Sequence, residues 1–596
     1  MKRNIIIDYL NITSAIKLIN KEKGSSVKAL FRPQSKIIEF FLIKIITLFK
    51  ISYTLDKMSS ANLTENIAND IHHKVMVIAR EISKEYINNP SSKVNECLNF
   101  SLSSWLFNAL WRQVSIIEYV GRLNTHPDVL YIATQLNNRI LMKSSFYQAE
   151  LKNSSLVHYK SSSFIDDQGY GYIAKRPKLK YLGKRISNLL ECIYFFFFIK
   201  LRKKPINTKI SMLTFVHSKT HNWLSIDKFI EDSALDVICL PPTNKFIDEK
   251  FLFNIKSIDW KDMFSFYKHM IAGVNKFYWS ISINLNLFSE LLQYWKFVYI
   301  FESLFNRSNI KIVLSGFESP ISKMATAVAS DNDEMASFDC LWSIGERPHE
   351  FAFTQKKMSD RFFLWGQWHY DLMRASNDKS SGYIISGYIG DNNIPLMKSI
   401  GQEFRKKNLK KFNRIITVFD SGSSEEGWYS KEVYIEYLKT ILFVAKEFNA
   451  LVVLKLKKGD ERYADIIKSN DDGHLITQNE KGSLVTALNS EVVIGVATSG
   501  PVSVSAVHGS QVILYDPTRV VWNQWELNKH SIPLIKTLTD LQTKLEEVML
   551  NETQDVTLSP KYIDPYGDYK AQKRMVSYIK DVFSNIHLGK NKAIHL

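Results

Sequence analysis

The stretch that decides the fold is residues 494–518, IGVATSGPVSVSAVHGSQVILYDPT, which predicts a strand, a helix and a second strand. The first apolar run breaks at Thr498, Ser499, Gly500 and Pro501, and a run of small residues leads to a His-Gly pair and another apolar run. Small polar residues followed by proline are typical of a helix start. Because backbone N–H groups point outwards where a strand gives way to a helix, this stretch predicts an anion-binding position.

Short apolar or β-branched runs alternate with helical stretches on the N-terminal side of this unit, which is typical of a parallel sheet with crossover helices. In the C-terminal part the predicted strands are residues 414–419, 451–456, 474–477, 491–496 and 511–515, and the predicted helices are 431–448 and 462–468. In the preceding part the predicted strands are residues 210–216, 235–240, 310–314, 337–342, 361–365 and 383–386. We therefore expect two Rossmann-like, doubly wound α/β domains in tandem, with strand ends facing a shared cleft.

Changes in composition predict the domain boundaries. Residues 1–205 carry apolar residues at helical spacing without β-rich alternation, which predicts a mostly helical N-terminal extension. A lysine-rich polar stretch, residues 401–413, predicts a linker between two α/β domains at 206–400 and 401–596.

Composition limits the class of protein. The chain has 596 residues, of which 45% are hydrophobic, and this supports globular domains. Its formal net charge of +17 favours an anionic partner, such as a phosphate-bearing ligand, acidic lipid or nucleic acid. The four cysteines are widely spaced, which indicates neither a zinc site nor a disulfide framework, and the N-terminus lacks the pattern of a secretory signal. We expect a cytoplasmic protein in a reducing compartment.

Two apolar segments, residues 37–51 and 189–204, are interrupted by charge and shorter than the ~20 apolar residues needed to span a bilayer. Each has two interpretations, a helix lying in the membrane interface beside flanking lysines or a helix buried in the core. For residues 37–51 we favour the core. For residues 189–204 the two interpretations are equally supported.

Polar residues follow three predicted strands of the C-terminal domain, where doubly wound sheets bind ligands. Asp420 and Ser421 follow the first strand, and Lys455 and Lys457 end the second with both side chains on one face, where they could reach a diphosphate. The third end is the Thr-Ser-Gly break described above. A capped loop and a solvated strand edge are the alternatives for the first two ends when each is taken alone.

This pattern of strands resembles the donor domain of GT-B glycosyltransferases of bacterial surface polysaccharide synthesis, in particular the "PFTS motif" polysaccharide biosynthesis proteins. The matching residues are Lys455, Lys457, Thr498, Ser499, Gly509, Tyr515, Asp516, Pro517 and Thr518. The sequence departs from that pattern where Val496-Ala497 replace Pro-Phe, and where Ser505-Ala506 replace the Glu-Ala pair that holds the donor ribose in many GT-B enzymes.

The resemblance implies a metal-independent, inverting glycosyltransferase that uses a nucleotide-sugar as co-substrate and no other cofactor. The implied acceptor is a lipid-linked or growing glycan (capsule, O-antigen or LPS) at the cytoplasmic face of the inner membrane, with peripheral contact to anionic lipids. The donor-binding residues would be Asp420, Ser421, Lys455, Lys457, Thr498, Ser499, Gly500 and Asp516. An acidic run at residues 331–334 follows a predicted helix rather than a strand, so we interpret it as a solvated turn and not as a metal-binding pair.

An inverting transfer also needs a base for the acceptor hydroxyl, and in such enzymes the base comes from the first α/β domain. The candidates are Glu318 in LSGFESP, Glu346 in WSIGERPHE and His217 in FVHSKTHNW, with Glu318 preferred because Gly316 and Ser319 flank it at a strand end. For each of the three, a capping or salt-bridged role is the alternative.

Three other functions remain open at this stage. A sugar-nucleotide 2-epimerase would share the fold but has no need of the N-terminal extension. A non-catalytic scaffold of a polysaccharide assembly complex would also fit the departures from the motif. A nucleic-acid-binding protein would be expected to cluster its basic residues with aromatic residues, and here the lysines are dispersed, so we expect no nucleic-acid partner.

Overall fold

The computed structural model describes a defined set of residues in two compact units. These residues are 3–7, 10, 12–30, 36–55, 74–75, 77–79, 81, 92–98, 102, 129–131, 144–145, 190, 209–215, 226–240, 285–306, 308–316, 320–340, 358–375, 382–420, 431–456, 463–469, 472–477, 483–496, 500–517, 534–550 and 560–587. The first unit comprises Met1–Pro90, Leu98–Phe195 and Lys261–Gln293, and the second comprises Ser91–Cys97, Phe196–Trp260 and Tyr294–Leu596.

The first unit contains a parallel sheet that the sequence did not predict. Its strands are β1 (Asn4–Ile7), β2 (Ser26–Ala29), β3 (Ser52–Leu55) and β4 (Val129–Tyr131), in the order β3-β2-β1-β4. The helices α1 (Ile12–Lys21) and α2 (Lys36–Leu48) pack on it. The prediction of a mostly helical extension missed this sheet, because strands of three or four residues are too short to show a period-2 pattern between longer helices.

The second unit begins with a six-stranded parallel sheet. Its strands are β5 (Met212–Phe215), β6 (Val237–Leu240), β7 (Ile312–Ser315), β8 (Ala336–Cys340), β9 (Arg361–Leu364) and β10 (Gly382–Ile385), in the order β10-β9-β8-β7-β5-β6. The helices along this part of the chain are α3 (Ile226–Ser233), α4 (Leu285–Phe305), α5 (Pro320–Ser330) and α6 (Gln367–Ala375). All six strands were predicted, each to within two residues at either end.

A second six-stranded parallel sheet follows. Its strands are β11 (Arg414–Phe419), β12 (Ala450–Lys455), β13 (Leu475–Thr477), β14 (Val492–Val496), β15 (Gln511–Tyr515) and β16 (Leu534–Ile535), in the order β13-β12-β11-β14-β15-β16. The helices are α7 (Ile394–Asn408), α8 (Lys431–Glu447), α9 (Ala464–Lys468), α10 (Ser483–Ala487), α11 (Gly500–Val507), α12 (Leu538–Leu550), α13 (Pro560–Ile563) and α14 (Ala571–His587). Counted within the domain, this is the 3-2-1-4-5-6 order of a Rossmann fold. The predicted fold class, two tandem Rossmann-like sheets, is confirmed.

Most of the stretch predicted as a linker, residues 401–413, is helical. It forms the C-terminal half of α7, and a Cβ on Gly401 would overlap the carbonyl oxygen of Val485 beside it, so this helix packs tightly against α10. Arg405 also forms an ion pair with Glu491. Of the lysines that suggested a linker, Lys406 and Lys407 belong to the last turn of a packed helix, where cations interact favourably with the helix dipole, and Lys410 and Lys411 follow its end.

The C-terminal helix returns to the first of the two six-stranded sheets. Tyr578 in α14 contacts the rings of Phe338 and Phe363, and its hydroxyl lies 3.3 Å from Nε of Arg361. Lys580 donates a hydrogen bond to the carbonyl oxygen of Asp232. The last helix of the chain therefore packs against the first of the two six-stranded sheets, and the domain boundaries at 205 and 400 stay a prediction.

Candidate functional site

The second sheet of the second unit has its topological switch point between β11 and β14. Phe419 pairs with Gly495 across these neighbouring strands, whereas the chain continues from β11 towards β12 on one side and from β14 towards β15 on the other. Connections that run in opposite directions leave a crevice outside the carboxyl ends of the two strands, which is where open α/β sheets bind ligands.

Strand register brings the described donor-site candidates to this edge. Phe419 pairs with Lys455, so Asp420, which directly follows β11, lies one position beyond the level of Lys455 at the end of the adjacent strand. On the other side of the crevice Val496 pairs with Tyr515, which places Asp516 at the same edge as the start of α11. The structure thus gathers Asp420, Lys455, Gly500 and Asp516 at one edge of the sheet. Ser421, Lys457, Thr498 and Ser499 lie outside the described residues, and the binding role of all eight stays a prediction.

Lys455 is the buried cation of this edge. It is the last residue of β12, an interior strand between β11 and β13, and it is only 8% exposed. Burial lowers the pKa of Lys455 to about 8, because an ammonium group loses hydration in the protein interior. For this strand end taken alone, the alternative interpretation was a solvated edge, whereas in the structure Lys455 is desolvated, and an anionic ligand would stabilise its charged form.

Asp516 is enclosed at the other side of the crevice. Its side chain is fully buried, and its backbone N–H donates to the carbonyl oxygen of Ile535, 2.9 Å away, which ties the strand end to β16. Burial, followed by the charge of Asp516, raises the pKa of the neighbouring Tyr515 to about 12.

A tyrosine that the sequence analysis missed lies close to this edge. Tyr437, on α8, is fully buried and stacks on Tyr515 with ring centroids 5.3 Å apart and planes 10° apart. Burial raises the pKa of Tyr437, and the charge of Asp420 raises it further. Within the described part of the chain its hydroxyl has no hydrogen-bond partner. Its i,i+3 spacing with Tyr434 on a predicted helix was the available signal.

The helix of the opening stretch begins where it was expected. Gly500 is the first residue of α11 and is half-buried, while Val502 and Val504 lie in the core. Ser505, which occupies a position held by glutamate in many GT-B enzymes, is buried and its hydroxyl donates to the carbonyl oxygen of Pro501, 2.7 Å away. This hydroxyl is therefore engaged within its own helix.

The three candidate bases follow adjacent strands of the first six-stranded sheet. His217, Glu318 and Glu346 come after β5, β7 and β8 in the sequence, and β7 neighbours both β5 and β8. The switch point of this sheet lies between β5 and β7. All three side chains lie outside the described residues, so their catalytic role stays a prediction.

The acidic run at residues 331–334 forms a turn, as expected. The Asp331 carboxylate accepts hydrogen bonds from the backbone N–H groups of Lys93 and Val94, at 2.6 and 2.9 Å. Glu334 lies 2.7 Å from Nζ of Lys311, and the pKa of Glu334 is lowered by that hydrogen bond. These carboxylates are engaged in structural contacts.

Comparison with solved structures finds distant similarity over most of the chain. S. aureus MnaA, solved with UDP, is 14% identical with a TM-score of 0.42, covering 65% of this chain and 100% of that one. UDP-GlcNAc 2-epimerase from Neisseria meningitidis, bound to UDP-GlcNAc, is 14% identical with a TM-score of 0.41, covering 62% and 99%. The wall teichoic acid polymerase TagF is 9% identical with a TM-score of 0.39, covering 69% and 98%.

No protein-family model and no curated protein sequence matches the chain. The fold class therefore rests on the strand orders described above. The resemblance to the "PFTS motif" polysaccharide biosynthesis proteins stays a prediction.

Proposed function

We propose that the chain is a glycosyltransferase that transfers a sugar from a nucleotide-sugar donor to a lipid-linked or growing surface glycan at the cytoplasmic face of the inner membrane. The observation that supports it is the position of Lys455, Asp420 and the start of α11 around the switch point of a 3-2-1-4-5-6 sheet. A desolvated ammonium group and a helix N-terminus are both suited to a phosphate.

The chemistry assigned to this edge is stabilisation of the leaving nucleotide. As the bond from sugar to phosphate breaks, negative charge accumulates on the phosphate, and preorganised donors in a dry site stabilise that charge. Lys455 supplies the positive charge and the backbone N–H groups at the start of α11 supply hydrogen bonds. The acceptor hydroxyl would lose its proton to Glu318, Glu346 or His217 from the first of the two sheets.

Donor binding is tested by calorimetric titration of the full-length chain with UDP-, GDP- and CMP-sugars. Lys455→Met keeps an unbranched side chain of similar length and should weaken binding about ten- to hundred-fold, the loss expected for a charge-assisted contact. Lys296→Met is the matched control, because Lys296 is also buried, at 3% exposure, but lies on α4. Equal affinity in wild type and folded Lys455→Met would contradict the assignment.

The reaction is tested separately from binding. A transferase releases nucleotide only when a glycan or glycolipid acceptor is present, whereas a 2-epimerase converts the sugar-nucleotide without any acceptor. A scaffold would show neither change. Following the donor by NMR with and without acceptor distinguishes these outcomes, and acceptor-independent epimerisation would overturn the proposed transfer.

A further inference from the structure

Helix α2 has a large apolar surface facing outwards. Phe40, Phe41, Ile45 and Leu48 are 55%, 59%, 42% and 82% exposed, and Lys44 lies among them. At 100° per residue these five positions occupy one arc of about 140°. We call this surface the α2 face. The interpretation of residues 37–51 as core was wrong for this half of the helix.

The opposite side of the same helix is fully used in packing. Leu42 is 7% exposed and Ile46 is completely buried, and both belong to the core of the first unit. Thr47 is exposed beside the α2 face, and its hydroxyl donates to the carbonyl oxygen of Ile43, 2.7 Å away, so this polar hydrogen is satisfied within the helix. A surface helix normally carries polar residues opposite its buried side, so apolar residues on both sides indicate that the α2 face has a partner of its own.

Basic side chains lie within and beside the α2 face. Lys44 places its ammonium group 4.5 Å from the ring centroid of Phe40, and Lys23 lies 5.7 Å from that of Phe49. Lys50, just beyond the helix, is exposed. Residues 36–50 contain three lysines and one glutamate. Long cationic side chains beside exposed aromatic rings suit an interface that is apolar inside and anionic outside.

We propose that the α2 face docks on an anionic lipid bilayer, with Phe40, Phe41, Ile45 and Leu48 in the acyl boundary and Lys44, Lys23 and Lys50 at the headgroups. The helix lies flat in this arrangement, since within the described part of the chain no helix has the length and apolarity to cross a bilayer. The formal charge of +17 opposes the approach of a second copy and favours an anionic surface. The proposal does not depend on the reaction assigned above.

The test is sedimentation of the full-length chain with phosphatidylcholine vesicles, with and without roughly 30% phosphatidylglycerol. Wild type should bind the anionic vesicles, and Phe41→Ser combined with Leu48→Ser should weaken binding by about ten-fold or more. Lys44→Glu should weaken binding to anionic vesicles and should lose most of its effect at high salt. Because Phe41, Lys44 and Leu48 are all exposed, we expect each variant to unfold at the same temperature as wild type.

Phe443→Ser is the matched control, because Phe443 is also 59% exposed but lies on α8 in the second unit. It should bind vesicles as wild type does. Wild-type binding by the folded Phe41→Ser/Leu48→Ser variant would overturn the proposal. A second result would also overturn the proposal. If wild type does not bind vesicles but forms a dimer in analytical ultracentrifugation, and the Phe41→Ser/Leu48→Ser variant is monomeric, the partner of the α2 face is a second copy of the chain.

Discussion

Tyr437 and Tyr515 stack face to face beside the switch point of the second Rossmann-like sheet, with planes 10° apart and centroids 5.3 Å apart. The contact joins α8, which follows β11 in the chain, to the end of β15, on the other side of the switch point. Aromatic pairs contribute packing energy beyond their buried area. We infer that this pair supports the edge that carries Asp420 and Asp516.

Tyr437→Phe tests this contact because it removes only the hydroxyl. That hydroxyl is buried without a partner in the described part of the chain, so Phe should leave the free energy of unfolding unchanged or raise it by up to about 1 kcal/mol. Tyr437→Ala removes the ring and should lower the free energy of unfolding by about 3 to 5 kcal/mol. Denaturant titration checks both. A Phe variant less stable by more than about 1 kcal/mol would show that the hydroxyl has a partner.

Lys455 predicts a proton uptake on donor binding. In the protein without ligand, burial lowers the pKa of Lys455 to about 8. A bound phosphate would favour the charged ammonium form and raise that pKa. At pH 8.5 binding should therefore take up a proton, and affinity should fall as pH rises above 8. Calorimetry at pH 8.5 in two buffers of different ionisation enthalpy measures the uptake. A phosphate bound away from Lys455 would give equal uptake in wild type and Lys455→Met.

Asp391 predicts a pH dependence of stability. It is fully buried and accepts the Ala571 N–H, 3.1 Å away, at the start of α14. Burial raises the pKa of Asp391 from 3.8 to about 6 despite that hydrogen bond. Between pH 3.8 and about 6 the folded chain binds more protons at Asp391 than the unfolded chain does. The contribution of Asp391 to the free energy of unfolding is therefore fully present below pH 3.8 and is lost as pH rises through about 6. The size of this contribution to the free energy of unfolding is on the order of 3 kcal/mol.

Asp391→Asn should therefore flatten the dependence of the unfolding free energy on pH between 4 and 6, as measured by denaturant titration at several pH values. The change keeps a carbonyl oxygen that can accept the Ala571 N–H. An Asn variant with the same slope as wild type would assign the titration to other groups.

Gly401 is required where α7 meets α10. A Cβ there would overlap the backbone carbonyl oxygen of Val485, which cannot rotate away as a side chain can. Gly401→Ala should lower the free energy of unfolding by about 1 to 3 kcal/mol, the usual result of overpacking. Ser399→Ala, at an exposed position of the same helix, is the control and should change little. Thermal unfolding of wild type and of both variants measures the difference. If Gly401→Ala were as stable as Ser399→Ala, α7 would be able to shift away from α10 without loss of stability.

The candidate site was only partly predictable. The strand ends that carry Asp420 and Lys455 were found from the sequence, because each follows a strongly apolar run at a position where parallel sheets bind ligands. The burial of Lys455 was not found, because a Lys-x-Lys pair has the same pattern at an edge strand and at an interior one. Tyr437 was missed because its importance depends on a stacking partner 78 positions away in the chain.

The sequence by itself determined the fold class of the second unit. Buried parallel strands have continuous apolar runs bounded by polar breaks, so all six strands of its first sheet, and five of the six of its second, can be recognised locally. The tertiary structure alone decided the strand order, the burial of Lys455, the return of α14 to the first of the two sheets and the outward side of α2. All four features depend on which surfaces pack against each other. Local periodicity indicates that one face of an element is apolar, but it does not indicate what covers that face.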